Sequence, residues 1–355
     1  MGDGRIFTVG VVGCGIGRSH IVEGYRKHPD KFHVIAICDT DHARRMRLAD
    51  EFAIPRCTDS FEELLRLADI DVVDLCTPPT LHSAQVLAVL EAGKQVVCEK
   101  PLACSLAEID RMIAAERPAR GRILPVYQYR FGNGVQKAKR IIDAGIAGKP
   151  YLATVETAWK RGPEYYATEW RGRLDGARGG VLLSQAIHIH DLLTCLMGPV
   201  ASVFARTATR VNPVEVEDCA VASLVMANGA LAALSATLGS QKEMSRLRLC
   251  FENVTFESAQ TPYAPGDDPW QIVPASSEAA GQIEAALQRH RFVPSGFEGL
   301  MGAYYEALSS ESALPITTKD ARRSLELVTA LYHSAAVGAA VSLPIAREHP
   351  RYKGW

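Results

Sequence analysis

The chain reads as two architectures in succession: an α/β domain with a doubly wound parallel sheet over residues 1–128, then an α+β domain with a large, mostly antiparallel open sheet over 129–355. Three observations predict this. Apolar strand-like runs alternate with helical spacing through the first third, which is the pattern of βαβ units. The first run, Arg5 to Val12, enters the glycine-rich turn Gly13-Cys14-Gly15-Ile16-Gly17 before helical spacing begins. The runs Val200 to Val211 and Glu217 to Leu238 follow one another with no helix between them, and Asn228-Gly229 is a strong hairpin signal. At 355 residues there is enough chain for two cores.

Composition narrows the class. Apolar residues make up 47% and charged residues 22%, the mix of a globular protein. A net charge of -1 offers no broad attraction to nucleic acid or an anionic membrane, so a small molecule is the expected partner. No apolar stretch reaches about 18 residues, and Met1 to Phe7 is too short and polar for a signal peptide. The nine cysteines are scattered without a Cys-x-x-Cys pair. They read as small buried hydrophobes in a reducing, cytoplasmic setting, and no metal site is expected.

In the first half, the strand, glycine turn and helix form an anion site, because Gly13, Gly15 and Gly17 allow backbone to approach a pyrophosphate and Ile16 opens the helix. The next strand, Phe32 to Cys38, ends in Asp39, placed to accept hydrogen bonds from an adenosine ribose. That carboxylate would repel a 2′-phosphate and favours NAD, while His42 and Arg44 keep NADP open; helix N-cap is the competing role for Asp39. Helices over Asp41 to Phe52 and Ser60 to Leu67 precede a buried strand, Asp71 to Cys76. After Thr77-Pro78-Pro79, a helix from Thr80 carries Leu81, Ala84, Leu87 and Ala88 on one face, with His82 in its first turn. The strand Gln95 to Cys98 delivers Glu99 and Lys100, and Pro101 disfavours helix at Lys100, so the strand ends with these side chains on the rim. A helix (Ser105 to Glu116) and strand (Ile123 to Tyr127) complete the sheet.

These stretches carry a resemblance. Gly-Cys-Gly with Gly-Arg-Ser-His, Cys-Thr-Pro-Pro-Thr-Leu-His, Glu-Ala-Gly-Lys-Gln-Val-Val-Cys-Glu-Lys-Pro-Leu-Ala and Gln128-Tyr-Arg-Phe resemble the glucose-fructose oxidoreductase and inositol dehydrogenase family, Gfo/Idh/MocA. The resemblance covers nearly the whole chain. It implies a Rossmann domain binding NAD, a cofactor site including Thr77, Pro78, His82, Glu99 and Gln128, and a Lys100 that reaches both the nicotinamide ribose and the substrate hydroxyl.

Arg130 to Gly148 reads as a helix leading to the second domain, and Pro150 to Lys160 as a strand. Trp159, Arg161, Tyr165, Trp170 and Arg171 interleave rings and guanidinium groups, a set suited to a polyhydroxylated ring whose C–H faces pack on aromatics. The resemblance puts Trp170 and Arg171 near the cofactor. In Gly179 to Asp191, helical spacing sets Ser184, His188 and Asp191 on one face, with His190 about 200° from His188. His188 matches the family's proton-transferring histidine, whereas Ser184 stands where many members carry an aspartate, so the usual partner of His188 is missing.

The runs Ala220 to Ala227 and Ala230 to Leu238 hold no charged residue, so one sheet face could pack on the His188 helix and the other needs a cover. A homo-oligomer, dimer or tetramer, is the expectation. Phe297 to Ser309 and Lys319 to Val341 read as amphipathic helices, and Ser258 to Gln282 gives no clear signal. The expected activity is oxidation of a hydroxyl on a sugar or cyclic polyol, an inositol or an aldopyranose, with Lys100 and His188 catalytic and Trp159, Arg161, Tyr165 and Ser184 beside the substrate. An NAD-dependent glycosidase and a non-catalytic NAD-binding sensor are the alternatives.

Overall fold

A computed structural model describes residues 4–116 and 121–355. Compactness divides them into two units. The first holds 4–104, the described part of 108–128, and 296–321; the second holds 105–107, 129–295 and 322–355. The return of 296–321 to the first unit has no marker in the sequence, because its helix, Gly296–Ser309, has the same amphipathic pattern wherever it packs.

The first unit is a six-stranded parallel sheet in the order β3-β2-β1-β4-β5-β6, formed by β1 (Phe7–Val12), β2 (Phe32–Cys38), β3 (Arg56–Thr58), β4 (Val72–Leu75), β5 (Gln95–Cys98) and β6 (Ile123–Pro125). Only the short β3 is absent from the sequence reading. Val9, Val11, Val72, Val73, Leu75, Val96 and Val97 are buried on both sheet faces, as a sheet covered twice requires. Burial of each is worth about 1.5–3 kcal/mol. The order reverses between β1 and β4, which puts the ligand crevice at the carboxyl ends of these strands.

Helix α1 (Gly17–Ser19) leads into a π turn, His20–Gly24, and a 3-10 turn. Helices α2 (His42–Phe52), α3 (Phe61–Leu65), α4 (Pro79–Glu91) and α5 (Leu106–Ala115) follow. Helix α4 buries His82, Ser83, Val86, Val89 and Leu90, not the expected face; Leu81 is exposed. The long apolar run on every side of this helix left its periodicity ambiguous, and packing chose the face.

The second unit carries an eight-stranded sheet in the order β13-β12-β11-β7-β10-β9-β8-β14. Its strands are β7 (Pro150–Lys160), β8 (Val200–Ala208), β9 (Cys219–Met226), β10 (Leu231–Thr237), β11 (Gly239–Phe251), β12 (Val254–Glu257), β13 (Gln271–Pro274) and β14 (Val341–Ser342). All neighbours run antiparallel except β10 and β7. Asn228-Gly229 turns β9 into β10, with Gly229 at φ 87°. Arg130 to Gly148 is not one helix: α6 spans Asn133–Asp143, after Gly132 at φ 132° breaks the chain from the turn at Gln128–Arg130.

Cys14, Cys38, Cys76 and Cys98 are buried as expected, whereas Cys57 is exposed. Among the described residues no single helix is long and apolar enough to cross a membrane.

Candidate active site

The strand ends of the first unit gather the expected cofactor residues. Gly13 has φ +95°, its N–H donates to the Cys38 carbonyl at 2.7 Å, and a Cβ there would stand 2.5 Å from the Cys76 carbonyl oxygen. Only glycine fits both constraints. Gly15 has open space where a Cβ would project, Ile16 beside it is exposed, and Gly17 packs against Val11. This is a cradle for close backbone approach by a pyrophosphate.

Asp39 accepts the Cys14 N–H at 2.7 Å and the Asp41 N–H at 2.9 Å. The N-cap of α2 is Asp41, whose side chain accepts from the Arg44 N–H at 2.9 Å, so the capping role weighed for Asp39 belongs to its neighbour. The Arg44 guanidinium lies 3.5 Å from Asp39 and 3.2 Å from Asp41, so two carboxylates already neutralise it. A 2′-phosphate would therefore meet net negative charge. Asp39→Ser is expected to raise the NADP-to-NAD ratio of kcat/KM by about tenfold, the effect of removing one nearby like charge, read from paired assays.

Behind this rim, Thr77 Oγ1 lies 2.6 Å from Gln85 Oε1, and Pro78 caps α4. His82 is fully buried with its ring nitrogens 2.9 Å from the Pro101 carbonyl and 2.8 Å from the Thr77 carbonyl, and its single ring proton donates to one of these two acceptors. Burial pulls its pKa below the usual histidine range. Glu99 also turns inward: Oε1 is 3.0 Å from His20 Nε2 and Oε2 accepts the Lys100 N–H at 2.9 Å. Burial works to raise its pKa, but the hydrogen bond and charge of His20, with the Lys100 charge, hold it low. Lys100 is half-buried and joined to Pro101 by a cis peptide. Gln128 Oε1 is buried with no partner among the described residues, an acceptor left for a ligand. The glycine cradle, the Asp39 carboxylate and this acceptor fit a dinucleotide.

In the second unit the expected helix from Val181 is interrupted. Helix α9 (Val181–Ser184) ends at Gln185, and α10 (Ile187–Met197) starts afresh at a bend of 45°. Ser184 and His188 are therefore not successive positions on one helix face. The Glu217 carboxylate accepts the N–H groups of Gly180 and Leu182, both at 3.0 Å, and so caps the start of α9. A Cβ at Gly180 would fall 1.7 Å from the Glu217 carbonyl oxygen.

His188 lies in the first turn of α10, 4% exposed, with its ring stacked on Tyr129 at 4.3 Å between centroids and 22° between planes. The ring thus packs face to face on Tyr129, and position 184 holds a serine rather than a carboxylate. Asp191, one turn on, is bound by Arg130 at 2.7 and 2.6 Å and by Ser324 Oγ at 3.1 Å. His190 is fully buried on the other side of the helix, and burial lowers its pKa to about 3, so it stays neutral.

Tyr165, Tyr166, Trp170, Arg171, Ser184 and Gln185 line a small, partly open cleft. Trp170 and Arg171, expected at the cofactor, thus share a pocket with the expected substrate residues Tyr165 and Ser184. The Arg171 guanidinium sits 4.2 Å above the Tyr165 ring, and its buried Nε has no partner among the described residues. Gln185 donates to the Tyr165 hydroxyl at 2.8 Å, while its own Oε1 is buried without a partner. Trp159 and Arg161 lie outside the lining. Trp159 is buried in β7 and donates to Ser245 Oγ at 3.1 Å; Arg161 crosses its face at 5.0 Å and pairs with Glu243 at 2.9 Å and Tyr263 at 3.1 Å.

Gln185, Glu243, Tyr263 and, in the first unit, His20 and Asp74 were missed from sequence. For Asp74 a signal existed, since a carboxylate inside a strand buried on both faces needs a partner. Tyr263 fell in the stretch that reads as featureless.

Residues 7–127 match the family described as "Oxidoreductase family, NAD-binding Rossmann fold", and residues 135–257 match the GFO/IDH/MocA C-terminal domain. The solved WlbA dehydrogenase from Bordetella pertussis, in complex with NADH and UDP-GlcNAcA, is 30% identical with a TM-score of 0.84, over 98% of this chain and 100% of that one. YrbE of Bacillus subtilis, an uncharacterized oxidoreductase, is 31% identical over 64% of this chain and 66% of its own length. Myo-inositol 2-dehydrogenase of Thermotoga maritima is 30% identical over 56% of this chain and 57% of its own. The chain spans two thirds or less of the length of these two curated relatives. With both family domains matched in order along it, the chain belongs to the Gfo/Idh/MocA oxidoreductases and begins with their NAD-binding Rossmann domain.

Proposed function

We propose that the protein is an NAD-dependent dehydrogenase acting on a hydroxyl of a sugar or cyclic polyol. The observation that carries this reading is a cleft lined by aromatic rings, a guanidinium and an amide group in a chain whose other unit holds a dinucleotide cradle. NAD, when bound, supplies the acceptor for the hydride that leaves the substrate carbon. His188 takes the hydroxyl proton, its ring packed face to face on Tyr129. Lys100 donates to the same oxygen and stabilises the negative charge that grows on it. The activities named for the Thermotoga maritima and Bordetella pertussis relatives support the reaction class.

One observation favours a narrower substrate class. Arg171 has no carboxylate partner among the described residues, although it is partly buried and held between two rings. A sugar bearing an acidic group, such as a uronic acid or a nucleotide-linked one, would supply the missing anion. The ligand of the Bordetella pertussis relative is of this kind.

The test is absorbance at 340 nm with NAD, and separately NADP, against inositols, aldoses and their uronic acids, free and nucleotide-linked. Reduction of NAD by one class supports the reading and identifies the class. Silence across the panel with NAD bound by thermal shift would overturn it in favour of a glycosidase or a sensor.

We also propose that the open face of the second sheet joins copies of the chain. Leu152, Leu231 and Val225 lie side by side in register and are 44, 54 and 40% exposed, with Val221 and Phe204 beside them. A bare apolar face of this kind invites association. Leu231→Glu is expected to reduce the mass seen by light scattering to that of a smaller assembly; an unchanged mass would remove this face from the interface.

A further inference from the structure

Beneath the Lys100 rim lies a fully buried ionic group that the proposed reaction does not use directly. Asp74 sits within β4, whose other residues are Val72, Val73 and Leu75. An isolated carboxylate there would cost several kcal/mol. His20, in the turn after the glycine loop, answers it with Nδ1 2.8 Å from Asp74 Oδ2. Its other nitrogen, Nε2, meets Glu99 Oε1 at 3.0 Å on the next strand. An ionised carboxylate only accepts, so both contacts are hydrogen bonds only when both ring nitrogens carry protons. Phe297 closes the site, its ring centroid 4.5 Å from that of His20.

The neighbouring groups leave the cation in place. Burial opposes charge on His20, but the Asp74 carboxylate and Cys76 outweigh it and push its pKa well above the usual range. The thiols of Cys76 and Cys98 and the Tyr25 phenol are each pushed up by burial and stay neutral. Cys76 Sγ lies 3.5 Å from both His20 Nδ1 and Asp74 Oδ1. The remaining Glu99 oxygen, Oε2, accepts the Lys100 N–H at 2.9 Å.

We propose that His20 is a positioning residue for Lys100: an imidazolium clamped between Asp74 and Glu99, it fixes the Glu99 carboxylate, which fixes the Lys100 backbone at the end of β5. The proposal rests on the reading of Lys100 as the group that meets the substrate oxygen. It makes the strand end rigid by charge rather than by packing, where packing alone cannot orient a polar group.

Nitrogen-15 NMR of histidine-labelled full-length protein tests the cation directly. His20, assigned by triple-resonance spectra, is expected to keep both ring protons as the pH is raised well past the ordinary histidine value of about 6.5. Titration near 6.5, or a metal bound at His20, would overturn the proposal. In kinetics, His20→Gln is expected to lower kcat/KM by about 10²-fold, the cost of a small misplacement at the reacting centre. It should also add an acid limb absent from the parent. Without the imidazolium, buried Glu99 binds a proton more readily, so activity falls as pH drops through its raised pKa. A lower melting temperature with an unchanged pH profile would mean a structural role only and would sink the idea. Lys100→Met separates the two layers: if it turns over normally, the reading of Lys100 fails, while the NMR result for His20 stands or falls by itself.

Discussion

His188→Ala is expected to lower kcat by about 10²- to 10⁴-fold, about 3 to 5 kcal/mol of barrier, with much less change in NAD affinity. The imidazole is 4% exposed and stacked on Tyr129. His190, two residues on, is fully buried and too weak a base. The measurement is kcat across pH with the substrate found by the absorbance screen. Full turnover at every pH would remove His188 from the reaction. Tyr129→Leu is the companion: it keeps the base but frees the ring, so a smaller loss is expected than for His188→Ala.

Arg130→Met is expected to destabilise the second unit by about 3–5 kcal/mol, the usual cost of breaking a buried ion pair by removing one partner. Arg130 holds both oxygens of Asp191, and the two side chains are 10% and 1% exposed. Its loss strands a carboxylate in α10, one turn beyond His188. Urea unfolding followed by fluorescence would show the lower midpoint; a change below about 1 kcal/mol would mean that Asp191 protonates or finds other support at little cost. Because the pair anchors the helix that carries His188, turnover should fall further than the loss of folded protein explains.

Much of the candidate site was legible from sequence because the chemistry required particular residues in short stretches. Gly13 had to be glycine, Asp39 had to end a strand, and Glu99-Lys100-Pro101 had to stop one. These are properties of backbone geometry, which neighbours in sequence decide. The role of His82 was less legible: the resemblance implied a place at the cofactor, and its ring nitrogens face the carbonyls of Thr77 and Pro101. Likewise, helical spacing through 184–191 was continuous in sequence, but the chain breaks between Ser184 and Ile187, and the Glu217 carboxylate, far along the chain, caps the start of α9.

By itself, then, the sequence determined the two architectures and the strand ends that form the cradle, since periodicity and turn chemistry act over a few residues. Only the tertiary structure decided which face of α4 is buried, that residues 296–321 return to the first unit, that Tyr129 stacks on His188, and that Asp74 and Glu99 share one histidine. Each of these depends on groups brought together from distant parts of the chain, where burial makes charge pairing obligatory and no local pattern records the partner.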